Sequence, residues 1–326
     1  MTDPSTTAPQ RWGITIPLAG VPLMDHKEWF RELVDLGFTD VWSAETNGTD
    51  AFTPLVLAAV WAPTLRLGQA IVPVYTRGPA LLAQSIATLA DIAPGRAVLG
   101  IGSSSNVIVE RWNGIPFEKP YQRVRDTVRF LRAALAGEKV TEEYETFAVK
   151  GFRLGIRLPE PPTILVAALR EGMLKLAGRE ADGAIVNWLS AEDVRTVAPN
   201  VGAGKEVAAR IFVMPTEDRD AVRGLGRRMI AEYMNVPVYA AFHEWIGRGD
   251  ALRPMWDAWK AGDRAGATEV IPDHVLDELI VWGSPEKCAE GVRAYADNGI
   301  TTPAPMIIAD PATAKTTMRA LAKMKP

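Results

Sequence analysis

Cysteine is almost missing from this 326-residue chain. Cys288 stands alone, which excludes an internal disulfide framework and any paired-cysteine metal or redox motif. Histidine is nearly as scarce. His26, His243 and His274 are far apart and lack metal-ligand spacing, so each reads as a surface or helix-end residue and not as a ligand. No apolar run approaches the roughly 20 residues a bilayer-spanning helix needs. The N-terminal "MTDPSTTAPQ" has neither the basic start nor the apolar centre of a signal peptide. An excess of basic residues is also missing: 36 Lys and Arg against 39 Asp and Glu give a formal charge of −3. A chain so balanced offers no field to nucleic acid, and any anion must be gripped by local donors. The expectation is a cytoplasmic protein with a small-molecule partner and with neither nucleic acid nor membrane as partner.

What the chain does have is rhythm. Short apolar or β-branched runs alternate with longer amphipathic stretches. "RWGITIP" (11–17) reads as a strand and "DHKEWFRELVDLGF" (25–38) as a helix that Gly37 stops. The pattern repeats with strands at 40–44, 66–74 and 96–102 and helices at 52–62, 78–93 and 121–137. It resumes with strands at 163–168, 183–187, 207–215 and 301–309. Residues 138–160 alternate like a hairpin, and 217–280 are mostly helical and rich in Trp and Tyr. Eight strands alternating with helices predict an α/β fold, a closed (β/α)8 TIM barrel, in preference to an open doubly wound sheet. The predicted organisation is a flexible tail at 1–10 and one domain over 11–326. The 138–160 excursion and the 217–280 insertion then sit at the C-terminal face.

In such a barrel chemistry gathers at the carboxyl ends of the strands. After the second strand comes "SAETNGTD", with Glu45, Asn47 and Asp50; after the fourth comes "GSSSN". That loop lacks the third glycine of a dinucleotide fingerprint and follows the wrong strand for one. Either its hydroxyls cap a strand-to-helix turn, or Gly100 and Gly102 let a flat ligand approach the backbone. After the fifth strand, "AALREG" places Ala168, Leu169, Arg170, Glu171 and Gly172 where a helix begins. Exposed amides, the positive end of the helix dipole and an arginine make a seat for phosphate, or else a solvated first turn. Trp12, Trp42, Trp112 and Trp188 fall near strand ends or loops, where each either packs or walls an aromatic ligand.

The run 68–135, with "GQAIVPVYTRGPALLAQSIATLADIAPGRAVLGIGSSSN" at its head, resembles the luciferase-like monooxygenases. It is most similar to the coenzyme F420-dependent branch that includes methylenetetrahydromethanopterin reductase. "PPTILVAALREGMLKLAGREADGAIVN" (161–187), "GFTDVWSAE" (37–45) and "VWGSPEKCAEGVRAYADNGI" (281–300) carry the same likeness. The resemblance implies a barrel that binds F420 at its mouth, with FMN as the alternative cofactor, usually as a homodimer. It implies a non-prolyl cis peptide backing the ring at Ala70 and Ile71, followed by Val72. It also implies a phosphate segment on Ala168, Leu169, Arg170, Glu171 and Gly172, and a cofactor-facing loop on Ser103, Ser104, Ser105 and Asn106.

The chain departs from the family pattern in two places. Thr46 follows Glu45 where many members have histidine, and serines occupy the fourth-strand loop where sugar-phosphate dehydrogenase members carry glutamate. Glu45 is therefore the candidate catalytic residue, ahead of Asn47 and Asp50. The implied activity is hydride transfer between C5 of the deazaflavin and an organic substrate. Three alternatives remain: an FMN-dependent monooxygenase on the same scaffold, a cofactor-free barrel lyase or isomerase, and a barrel that binds ligand without turnover. Tyr233, Tyr239 and Trp245 of the insertion either shape the substrate pocket or pack within the insertion.

Overall fold

The structure, a computed structural model, describes residues 8–325, so most of the segment read as a tail lies outside the described residues. Eight parallel strands follow one another in chain order: β1 (Gly13–Thr15), β2 (Asp40–Ser43), β3 (Arg66–Gln69), β4 (Ala97–Gly102), β5 (Thr163–Ala167), β6 (Gly183–Asn187), β7 (Glu206–Met214) and β8 (Thr302–Ile307). Each pairs with its predecessor in parallel register, for example Trp42 with Gly68, Val98 with Thr163 and Arg210 with Asn187. Strands such as "AVLGIG" are buried along their whole length, as expected where helices cover one face and the sheet's own concave side covers the other.

The sheet is strongly curled. Arg66 on β3 donates from both terminal nitrogens to the two carboxylate oxygens of Glu206 on β7, each at 2.8 Å. In a flat sheet four strand spacings would hold these strands about 19 Å apart. Asp40 and Thr302 complete this interior cluster, at 3.3 Å from Arg66 and 2.7 Å from Glu206. Burial pushes the Asp40 carboxyl up, against the pull of Arg66. The outer edges of β1 and β8 also meet. The Arg11 amide donates to the Thr301 carbonyl at 2.8 Å, and the Thr15 hydroxyl to the Ala304 carbonyl at 2.9 Å. Pro303 and Pro305 within β8 have no N–H to offer a ladder, and among the described residues none joins these two edges. Above the ion-pair layer, Trp42 fills the interior against the backbones of Gly13 and Gly68, where no Cβ would fit.

The run 66–74, read as one strand, is divided. β3 ends at Gln69, the Ala70–Ile71 peptide is cis, and Val72–Pro73 pairs with β4 alone. Apolar residues continue from Ala70 to Val74 beyond the break, so the strand pattern does not register it; the cis peptide is the one that the family resemblance implies. A π-helical turn, Val107–Trp112, also intervenes before helix Pro120–Leu135, and the sequence reading has no element there.

Helices cover the convex face through apolar stripes, such as Trp29, Phe30 and Leu33 of His26–Asp35. The 138–160 stretch contains antiparallel strands Val140–Glu143 and Ala148–Phe152. Phe147 and Phe152 pack against Phe130 of the preceding helix. Between β7 and a two-residue strand, Val281–Trp282, lie five helices: Arg219–Met234, Pro237–Trp245, Gly249–Lys260, Arg264–Glu269 and Asp273–Leu279. They share a second core with the ends of β6 and β7, where Trp188 stacks on Phe212 at 4.1 Å.

Candidate functional site

The carboxyl ends of β2 to β6 open onto one cavity of about 1070 Å³, which Arg210 enters from within β7 and the insertion roofs. Glu45 lies on its wall, with Ala70 and Ile71, the serines Ser103, Ser104 and Ser105, and the segment from Ala168 to Gly172. Two candidates stand apart. Val72 is fully buried and paired with Ile101, and Asn106 caps the π-helical turn without lining the cavity.

The glycines of β4 explain how the wall is built. A Cβ on Gly100 would run into the Gln69 carbonyl, whose carbon lies 3.0 Å from that position. One on Gly102 would lie 2.8 Å from Ala167 Cβ and 3.3 Å from Ile71 Cδ1. Gly100 thus makes room for the Gln69 backbone, and Gly102 for the side chains of Ala167 and Ile71. The serine loop caps its own turn and borders the cavity. Ser105 accepts from the Ile108 amide at 3.4 Å, a capping contact, and all three serines line the cavity. Ser104 has φ 62°, a conformation uncommon outside glycine.

At the end of β5, Arg170 caps helix Glu171–Glu180 without a side-chain hydrogen bond. First-turn amides have no partner within a helix, and here they border the cavity. Glu171 is tied to Lys175, whereas Arg170 is exposed and forms no ion pair among the described residues. The segment therefore has the donors and the positive charge that an anion requires.

Glu45 is held by Arg77, which donates at 2.8 Å to one carboxylate oxygen and at 3.4 Å to the other. The Glu45 amide donates to the Ile71 carbonyl at 3.2 Å, linking this loop to the cis peptide. Asp50 acts locally, accepting from the Phe52 and Thr53 amides at 2.8 and 3.0 Å. Burial would raise its pKa, but these hydrogen bonds and Arg77 lower it overall.

The insertion contributes Tyr233, Tyr239 and Trp245 to the wall. The Tyr239 hydroxyl accepts from the Asn187 amide at 3.1 Å, and burial pushes that phenol up to about 12. Tyr233 also packs against Trp188 within the insertion core, so pocket and packing coincide. Of the four tryptophans near strand ends, only Trp112 lines the cavity; Trp12, Trp42 and Trp188 are buried in the core. All three histidines stand at helix ends and His274 is exposed, but the other two are not on the surface. His26 and His243 are buried, and His26 is used structurally: it accepts from the Leu18 amide and meets the Pro22 carbonyl, each at 2.9 Å. Among the described residues no cluster of His, Cys, Asp and Glu is placed to hold a metal.

Arg77 and Arg210 escaped the sequence reading. Arg77 follows the third strand in "VYTRGP", near a loop already singled out. Arg210 is a lone charge inside the apolar run "VAARIFVMP", and that incongruity was the available signal.

Comparison with known proteins agrees with this architecture. The chain is 28% identical over 282 residues to the 5,10-methylenetetrahydromethanopterin reductase of Archaeoglobus fulgidus, covering 82% of this chain and 84% of the relative. Its fold is similar to that of the coenzyme F420-dependent tetrahydromethanopterin reductase of Methanopyrus kandleri, with a TM-score of 0.76, 21% identity and 98% of each chain covered. It is also similar to an F420-dependent secondary alcohol dehydrogenase in complex with an F420-acetone adduct, with a TM-score of 0.75 and 15% identity, covering 97% of this chain and 98% of the other. Residues 5–302 match the family model described as luciferase-like monooxygenase, and the chain belongs to that family.

Proposed function

We propose that the protein is a coenzyme F420-dependent oxidoreductase, its curled sheet working as a (β/α)8 barrel with the cofactor across the mouth. One observation carries the reading: Ala70–Ile71, Ser103–Ser105 and Ala168–Gly172 converge on a single cavity of about 1070 Å³. That volume suits a tricyclic ring with a phosphate-bearing tail, since pockets for drug-sized ligands run from about 300 to 1,000 Å³. The similarity to a methylenetetrahydromethanopterin reductase and to the fold of F420-dependent enzymes supports the same assignment.

When bound, the deazaflavin supplies a carbon that gives or accepts hydride. The chain's own residues do the rest. Arg170 and the first amides of Glu171–Glu180 hold the phosphate. Ala70 and Ile71 back the ring, with Gly100 leaving space for the preceding Gln69 carbonyl and Gly102 for the Ile71 side chain. Arg77 fixes Glu45 at the rim, where the carboxylate takes part in proton transfer to the substrate. Tyr233, Tyr239 and Trp245 exclude water and press the substrate toward the ring.

Two copies of the chain pair as a homodimer in this reading. Val60, Leu81 and Ile92 lie 65%, 51% and 42% exposed on helices Thr53–Trp61 and Pro79–Ile92 and supply apolar surface for that contact.

Titration of F420 with the protein tests the assignment, because binding changes the cofactor's fluorescence. The expected result is saturable binding that Arg170→Met weakens. Tight binding of reduced FMN without F420 binding would convert the reading to a monooxygenase. Phosphate binding without any ring binding would favour a barrel lyase or isomerase.

A further inference from the structure

The cavity holds one cation that nothing among the described residues neutralises, set apart from the phosphate segment. Arg210 lies on β7, two strands beyond β5, and the ring and phosphate positions lie on β3 to β5. Among the described residues no carboxylate comes within 4.0 Å of its guanidinium, whereas Arg66, the other arginine inside the curl of the sheet, is doubly bound to Glu206. The partners of Arg210 are neutral. It sits over the Phe212 ring at 5.2 Å and donates to the Met306 sulfur, and its Nε is buried without a partner. Its register neighbour Asn187 is engaged by Tyr239.

The acids around the cavity do not answer this charge. Glu45 is committed to Arg77 and Glu171 to Lys175, and Glu232 is exposed on helix Arg219–Met234. A partly desolvated guanidinium with no counter-charge is costly, and its planar fork matches a carboxylate in a bidentate manner. The neighbouring wall is apolar and aromatic: Tyr233, Val236, Val238, Tyr239 and Trp245.

We propose that Arg210 is a substrate-recognition residue and that the substrate is an organic acid, its carboxylate on Arg210 and its apolar or aromatic body against the insertion. The role of this acid as substrate rests on the oxidoreductase reading; its binding to Arg210 does not.

The test is a titration of the protein, alone and with F420, with benzoate, cinnamate and hexanoate and with their amides. Intrinsic tryptophan fluorescence and calorimetry report binding. At least one carboxylate is expected to bind about tenfold or more tightly than its amide. Arg210→Met should abolish that preference while leaving amide affinity unchanged, and Arg210→Lys should restore part of it. F420 affinity and circular dichroism of each variant report an intact fold. Equal affinity for acids and amides, binding of none of the acids, or an undiminished preference in Arg210→Met would each overturn the proposal. So would loss of F420 affinity in Arg210→Met with carboxylate binding retained, because the arginine would then serve the cofactor. Absence of F420 binding by the wild-type chain would instead refute the oxidoreductase reading, and acid-over-amide preference, measured without cofactor, would still be readable.

Discussion

Replacing Gly100 by alanine adds one methyl group to the buried strand that leads into the serine loop. That methyl would meet the Gln69 carbonyl group, with the carbonyl carbon at 3.0 Å and the oxygen nearer still. Both groups belong to strand backbone, so neither swings aside as a side-chain end does. Overpacking of a well-filled interior costs about 1–3 kcal/mol, and a clash between two backbones belongs at the upper end, about 3 kcal/mol. Gly102→Ala meets Ala167 Cβ at 2.8 Å and the flexible end of Ile71 at 3.3 Å, which points to about 1 kcal/mol. Gly172→Ala meets nothing within 4 Å, and in a helical first turn the change is neutral or stabilising by up to about 1 kcal/mol. The expected order of melting temperatures is Gly172→Ala at or above wild type, then Gly102→Ala, then Gly100→Ala. Each kcal/mol moves the midpoint of a chain this size by about 2 °C. Scanning calorimetry at one fixed rate, with urea midpoints where unfolding reverses, measures the series. A Gly100→Ala protein melting with the wild type would refute the idea that Gly100 makes room for neighbouring backbone.

The same geometry sets further expectations. Arg77→Met should destabilise by about 1 kcal/mol, and Glu45→Gln in that background should recover most of the loss, giving a coupling of similar size in a double-mutant cycle; additive effects would dissolve the pair. Glu45→Gln alone should slow turnover of a substrate found by screening by about 100-fold or more, with F420 affinity within about threefold; unchanged turnover would remove Glu45 from the chemistry. His243 is fully buried, and desolvation, with Arg248 adding to it, lowers its pKa to about 4. The unfolded chain protonates this ring near pH 6.5 and the folded chain only near 4, so stability falls as pH drops through that window, by about 3 kcal/mol. His243→Leu should flatten that part of the profile, and parallel curves for the two proteins would count against the assignment. Light scattering should give the mass of two chains, and Leu81→Asp that of one; a monomeric wild type would defeat the pairing through Val60, Leu81 and Ile92.

Much of the fold was legible because burial leaves a local trace. Apolar runs of strand length alternate with stripes such as Trp29, Phe30 and Leu33, and all eight expected strands pair in chain order. Local pattern says nothing of what meets across the interior. Arg66 and Glu206 lie 140 positions apart and bond bidentately only because the sheet curls. The break after Gln69 left no mark on the strand pattern, because apolar residues continue from Ala70 to Val74 beyond it; the family resemblance pointed to a cis peptide at Ala70 and Ile71, and the structure has it there. His243 stands at a helix end as expected, but its burial escaped the sequence because the groups around it include ones distant in the chain, such as Asp193.

The candidate site divides in the same way. By itself the chain determined where strands end, and hence that Glu45, Ser103 and Arg170 share one face; strand direction and helix alternation require it. At Gly100 and Gly102 it left two readings open, a capped turn or a close approach to the fourth strand. Only the tertiary structure decided that Gly100 faces the Gln69 backbone and Gly102 the side chains of Ala167 and Ile71, that Arg77 binds Glu45, and that, among the described residues, Arg210 faces the cavity without a counter-charge. Secondary structure follows from neighbours in sequence. Electrostatic partnership depends on distances in space, and those exist only once the sheet has curled and brought its far strands together.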